Sequence, residues 1–145
     1  MTEQELMDLV RQNIEAFSSG DFEQFAMTIA EDGVYEEPST QRRVSSKTEA
    51  VDLAKGWRQA FPDARGTIQN LFASGDQAVA EILWEGTHQG DLETPAGRIP
   101  ASGKRIEMRA TQVLRGENGK LKETRHYLDL MTMLQQIGLT SRLAA

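Results

Sequence analysis

Residues 119–138, GKLKETRHYLDLMTMLQQIG, read as a strand that turns at once into a helix. Leu121, Tyr127 and Leu128 supply the apolar positions of the first half. Met131, Leu134 and Ile137 follow at helical spacing. Asp129 stands at the junction between the two. A carboxylate there has two possible jobs. It caps the helix by accepting from free backbone N–H groups, or it is the acid/base of a buried pocket. The two roles are compatible.

Working back from this stretch, the turn GENG at 116–119 joins it to a strand at 105–115. One face of that strand carries Ile106, Met108, Ala110, Gln112 and Leu114. Residues 90–103 hold two prolines and three glycines without periodicity, which predicts a long loop. Before it, 67–73 and 77–87 alternate around the turn SGD at 74–76, with Ala78, Ala80, Ile82 and Trp84 on one face of the second strand and Val79, Glu81, Leu83 and Glu85 on the other. Upstream of Pro62 the period becomes helical. Ser46 and Glu49 form a capping box ahead of Ala50, Val51, Ala54, Trp57 and Phe61. A short strand at 34–37 stops at Pro38, and 39–45 reads as a loop. The chain opens with two helices. The first, capped by Thr2 and Glu5, carries Leu6, Val10, Ile14 and Phe17. The second starts at Asp21, runs through Phe22, Phe25, Ala26 and Ile29, and closes at Asp32 and Gly33.

This order predicts a single α+β domain over residues 1–145. Three N-terminal helices pack against a curved antiparallel sheet, and a short C-terminal helix follows. Such a sheet curls into a cone with a cavity between its concave face and the helices.

The 145 residues suit one core. A net charge of −6 argues against nucleic acid as a partner, because phosphate binding needs a concentrated basic face. No apolar run approaches the ~18 residues of a membrane span. The acidic, amphipathic start MTEQELMDLV is neither a secretory signal nor a transit peptide, so the expected location is the cytoplasm. The absence of cysteine rules out disulfides and thiolate catalysis, and two histidines are few for a transition-metal site. A His-rich transition-metal site is not expected. No nucleophile elbow, Walker loop or dinucleotide fingerprint occurs.

The succession FPDAR at 61–65, GD at 75–76, WEGTHQG at 84–90, PASGKR at 100–105, GKL at 119–121 and DLMTMLQQIG at 129–138 resembles the SnoaL-like polyketide cyclase, or ester cyclase, group of the NTF2-like superfamily. The resemblance implies a cone-shaped barrel, usually a homodimer through the sheet. It also implies acid/base catalysis by one Asp in an aldol-type ring closure, with no metal and no organic cofactor. Asp129 occupies that position.

The candidate catalytic residues are therefore Asp129, His88 and His126. His88 stands where a strand meets the long loop. His126 is three residues from Asp129, so in a regular strand the two face opposite ways. Tyr35, Trp57, Phe61, Trp84, Met108 and Tyr127 are candidates for substrate contact, as pocket walls or hydrogen-bond donors. The expected partner is a small apolar, polyketide-like molecule, and the expected chemistry is cyclisation or a related isomerisation or hydration. The alternative is a cone that binds a ligand or a protein without catalysis.

Overall fold

The computed structural model describes residues 1–95 and 97–139. Helix α1 (Glu3–Ser19) starts at the predicted capping box, with Thr2 Oγ1 accepting from Glu5 N at 3.0 Å and Thr2 N donating to Glu5 Oε1 at 2.9 Å. It ends at Gly20, whose φ of 75° is the left-handed conformation of a helix C-terminus. Its stripe of Leu6, Leu9, Val10, Ile14 and Phe17 is buried. Each such side chain contributes about 1.5–3 kcal/mol by leaving water.

Helix α2 (Phe22–Met27) is shorter than the periodicity predicted. Ile29 falls four residues after Phe25 and so imitates a helical stripe. It instead opens strand β1 (Ile29–Glu37), because Thr28 closes the helix with its hydroxyl on Phe25 O at 2.7 Å. A 3₁₀ turn (Pro38–Thr40) and strand β2 (Arg42–Val44) follow where a loop was predicted, and then helix α3 (Lys47–Ala60). Strands β3 (Arg65–Ser74), β4 (Gln77–Thr87), β7 (Arg105–Glu117) and β8 (Lys120–Leu128) form the meander, and helix α4 (Leu130–Gln136) comes last. The predicted long loop contains a small hairpin of its own, β5 (Leu92–Thr94) with β6 (Gly97–Ile99).

The main sheet has the order β2-β1-β8-β7-β4-β3. It is mixed, which corrects the antiparallel expectation. β1 lies between β2 and β8 and runs parallel to β8. Two buried clusters lie on the concave face. One is built around Phe17, Phe61, Met108 and Met133, the other around Leu6, Val10, Ile82 and Leu114. Trp84 packs against both. Its ring crosses Gly66 on the neighbouring strand, where a Cβ would lie 2.7 Å from the indole.

One irregularity decides what faces the cone. Arg115 pairs with Glu123 but Gly116 pairs with Leu121, so Lys122 is an extra residue in β8. The bulge resets the alternation. Leu121 faces inward before it, and Thr124, His126 and Leu128 face inward after it.

Candidate functional site

The cone holds a cavity of about 100 Å³. Its walls are mainly apolar, and Tyr35, Trp57, Phe61, Trp84, Met108 and His126 all line it. Strand alternation accounts for this. Tyr35 shares a face of β1 with Glu37, Trp84 shares a face of β4 with Ile82, and Met108 is one of the inward even-numbered residues of β7.

A hydrogen-bond chain crosses the cavity wall. Trp84 Nε1 donates to His126 Nε2 at 3.2 Å, and Tyr35 Oη lies 2.7 Å from His126 Nδ1 and 2.6 Å from Glu37 Oε2. The directions follow from the donors. An indole N–H can only donate, so Nε2 of His126 is an acceptor. Burial holds the His126 pKa down to about 3, from an ordinary 6.5, so the resting ring is neutral and its proton sits on Nδ1. Nδ1–H therefore donates to Tyr35, and Tyr35 donates to Glu37. Burial, with the Glu37 carboxylate beside it, pushes the Tyr35 hydroxyl well above the usual phenol range, so it stays protonated.

Glu37 is the acceptor on which this chain ends. It is fully buried and also accepts from Trp57 Nε1 at 2.6 Å and Thr40 Oγ1 at 2.7 Å. Sequence reasoning missed it. Its signal was present, because Tyr35 and Glu37 stand two apart in a strand and must share a face. Gln112 was missed too, although it stands on the otherwise apolar face of β7 between Ala110 and Leu114. It is buried and lines the cavity, as do Asn13 and Thr124.

Three predicted residues lie elsewhere. Asp129 is exposed and is absent from the cavity wall. Its carboxylate accepts from Thr132 N at 3.2 Å and from Thr132 Oγ1 at 2.6 Å, which makes it the N-cap of α4. The placement in a pocket is thus corrected by the bulge-set parity of β8. The same parity turns Tyr127 outward, where it is 45% exposed. His88 is fully buried behind Phe61, with ring centroids 5.3 Å apart, and does not line the cavity. Its Nδ1 meets Ser102 Oγ at 2.9 Å and accepts from Ser102 N at 3.2 Å, so it clamps the end of β4 to the end of the β5–β6 excursion. Burial lowers its pKa.

Among the described residues no three His, Asp or Glu side chains converge as metal ligands, and no helix is long and apolar enough to cross a membrane.

A curved sheet wrapped around an apolar cavity, with helices closing its concave face, defines the NTF2-like, ketosteroid isomerase-like class. Within that class the chain belongs to the SnoaL-like polyketide cyclase family, whose model matches residues 7–137. No curated protein is similar enough in sequence to count as a relative. Among solved structures, the chain is similar to IdmH from Streptomyces antibioticus, a candidate polyketide cyclase. The two are 27% identical with a TM-score of 0.78, over 92% of this chain and 98% of that one. AclR from Streptomyces galilaeus, a candidate hydroxylase, shares the fold at 23% identity and a TM-score of 0.80, over 94% and 98% of the two chains. An LEH-like epoxide hydrolase from M. tuberculosis shares it at 17% identity and a TM-score of 0.73, over 98% and 97%.

Proposed function

We propose that this protein is an enzyme that moves a proton within an apolar, polyketide-like molecule held in the cone, by aldol-type cyclisation or a related isomerisation or hydration. The observation that carries the proposal is the directional chain Trp84–His126–Tyr35–Glu37 in the wall of an apolar cavity. His126 Nε2 takes the proton from a carbon next to a carbonyl. The imidazolium so formed donates through Nδ1 to Tyr35, and Glu37 stabilises its charge through the tyrosine hydroxyl. The Trp84 contact at 3.2 Å is the longest of the chain. Released from Nε2, the indole N–H donates to the substrate oxygen. Nε2–H then returns the proton to the new alkoxide in a cyclisation, or to another carbon in an isomerisation. Family membership and the likeness to IdmH support the substrate class.

The second reading is a cone that binds without catalysis. It is favoured by the resting state, in which both nitrogens of His126 are occupied. One experiment separates the two. Cyclohexanone is incubated with the protein in D2O, and exchange of its α-protons is followed by NMR. Catalysis predicts exchange faster than buffer that is lost in His126→Gln. Binding without acceleration over buffer supports the second reading.

We also place the protein in the cytoplasm as a homodimer through the outer face of the sheet. Phe72, Val79 and Val113 form a continuous cross-strand row there, and Phe72 is 55% exposed. Sedimentation of a monomer at micromolar concentration would remove the dimer.

A further inference from the structure

Arg42 and Arg98 both line a polar pocket of about 340 Å³ that adjoins the apolar cavity at Trp57. The two guanidinium groups are matched differently. Arg98 Nε donates to Glu93 Oε1 at 2.7 Å, and the charge of Asp91 acts on Arg98 as well. Arg43, the sequence neighbour of Arg42, pairs with Glu36 at 3.6 Å. Arg42 has no such partner. Among the described residues it forms no ion pair, and its one hydrogen bond goes to the backbone carbonyl of Glu93. Its cross-strand neighbour Glu37 is committed to Tyr35, Trp57 and Thr40. Arg42 is nonetheless half-buried, with its guanidinium carbon 5.7 Å from the centroid of the Trp57 ring. A partly desolvated guanidinium stacked on an aromatic face, with N–H donors uncommitted, is suited to a planar oxyanion.

We infer that this outer pocket is a carboxylate-binding site, in which the free N–H donors of Arg42 hold the anion. The charges of the lining decide which anion it takes. Arg42 and Arg98 are balanced by Asp91 and Glu93, so the pocket has no excess of positive charge to offer a phosphate dianion. What it offers is one directional cation, and that suits a single carboxylate. Asp91 does not compete for Arg42, because its Oδ1 accepts from Ala101 N at 3.3 Å. The site lies outside the His126 chain and stands whether or not the cone catalyses.

The test compares benzoate with benzamide, which match in shape and differ by one charge, and adds phenyl phosphate. Binding is measured at low ionic strength by calorimetry and by nitrogen-15 NMR of the Arg42 and Trp57 side-chain N–H groups. Wild type is expected to bind benzoate about tenfold more tightly than benzamide and than phenyl phosphate, and only benzoate should move the Arg42 signals strongly. Arg42→Gln should lower benzoate affinity about tenfold, to that of benzamide. Arg42→Lys keeps the charge without the planar fork and should recover only part of the loss. Arg42 also holds the β5–β6 hairpin through Glu93 O, so the wild-type comparison decides if the variants disturb that hairpin. Benzoate that binds no better than benzamide, or without moving the Arg42 signals, overturns the inference. So does a benzoate preference that survives Arg42→Gln. Tighter binding of phenyl phosphate than of benzoate overturns the choice of carboxylate. Exchange of cyclohexanone α-protons on the same samples reports the proposed chemistry separately, so either reading can fail without the other.

Discussion

His126 and Asp129 stand three residues apart and face opposite ways, the imidazole into the cavity between Tyr35 and Trp84 and the carboxylate to solvent over Thr132. The bulge at Lys122 sets which of them enters the cone. If the cap is the whole role of Asp129, Asp129→Ala loses about 1 kcal/mol of stability and Asp129→Asn loses little. Both variants keep wild-type α-proton exchange on cyclohexanone. A loss of exchange in Asp129→Asn with unchanged urea denaturation would return the acid/base role to this residue.

His126 makes stability depend on pH in a definite direction. Its pKa is about 3 in the folded protein against an ordinary 6.5. Between those values the unfolded chain binds a proton that the folded chain does not. Stability is therefore full above about pH 6.5 and falls on acidification by about 1.4 kcal/mol per unit, until the folded pKa is reached. His88 is shifted the same way, so the comparison needs a variant. His126→Gln, which can accept from Trp84 and donate to Tyr35, should flatten part of the slope of urea midpoint against pH. Nitrogen-15 shifts of His126 should report a neutral ring protonated at Nδ1 at pH 5.

The helices, the inward face of β7 and the last hairpin were legible because periodicity and caps are local properties. Ala78, Ala80, Ile82, Ile106, Met108 and Leu114 are all buried as their alternation predicts. Ile29 misled because one residue fits both periods. The parallel pairing of β1 with β8 is a long-range choice with no local signature. The site was half legible. Aromatic residues on apolar faces point inward for the reason they were picked, their packing area. Asp129 and Tyr127 depended on the parity of one strand, and a half-buried lysine at a bulge carries no mark in the sequence. Glu37 was hidden because a glutamate before a proline reads as a strand end facing water, and only the three donors that converge on it reveal its burial.

Glu37 separates a structural from a chemical contribution. In Glu37→Leu the donors of Tyr35, Trp57 and Thr40 lose their acceptor, each at about 1–3 kcal/mol. Glu37→Gln is far milder. Its amide oxygen can face Tyr35 and Trp57, while its NH2 meets Thr40, whose hydroxyl also reaches Glu37 O at 3.3 Å. Denaturation midpoints should thus rank wild type, Glu37→Gln, Glu37→Leu. The α-proton exchange should fall by about tenfold or more even in the folded Glu37→Gln, because a neutral amide no longer balances the imidazolium. Full exchange in Glu37→Gln would show that the carboxylate only holds the fold.

Trp57 divides two chambers. It lines the apolar cavity of about 100 Å³ and also an outer, polar pocket of about 340 Å³ shared with Arg42, Gln59, Asp91 and Arg98. The inner volume alone is below the roughly 300–1,000 Å³ of pockets that enclose drug-sized ligands, so it suits one ring, and the second pocket adjoins it at Trp57, which lines both. The indole is held by its 2.6 Å bond to Glu37 and by Arg42, whose guanidinium carbon lies 5.7 Å from the ring centroid. Trp57→Ala should join the chambers, and 2-naphthol should bind this variant more tightly than wild type. The substitution costs about 3–5 kcal/mol of packing, so urea denaturation must first confirm the fold. In wild type the indole N–H proton of Trp57 should resonate far downfield and move when a two-ring ligand binds. If 2-naphthol binds wild type and that proton stays in place, Trp57 is a fixed wall and the ligand remains within the inner chamber.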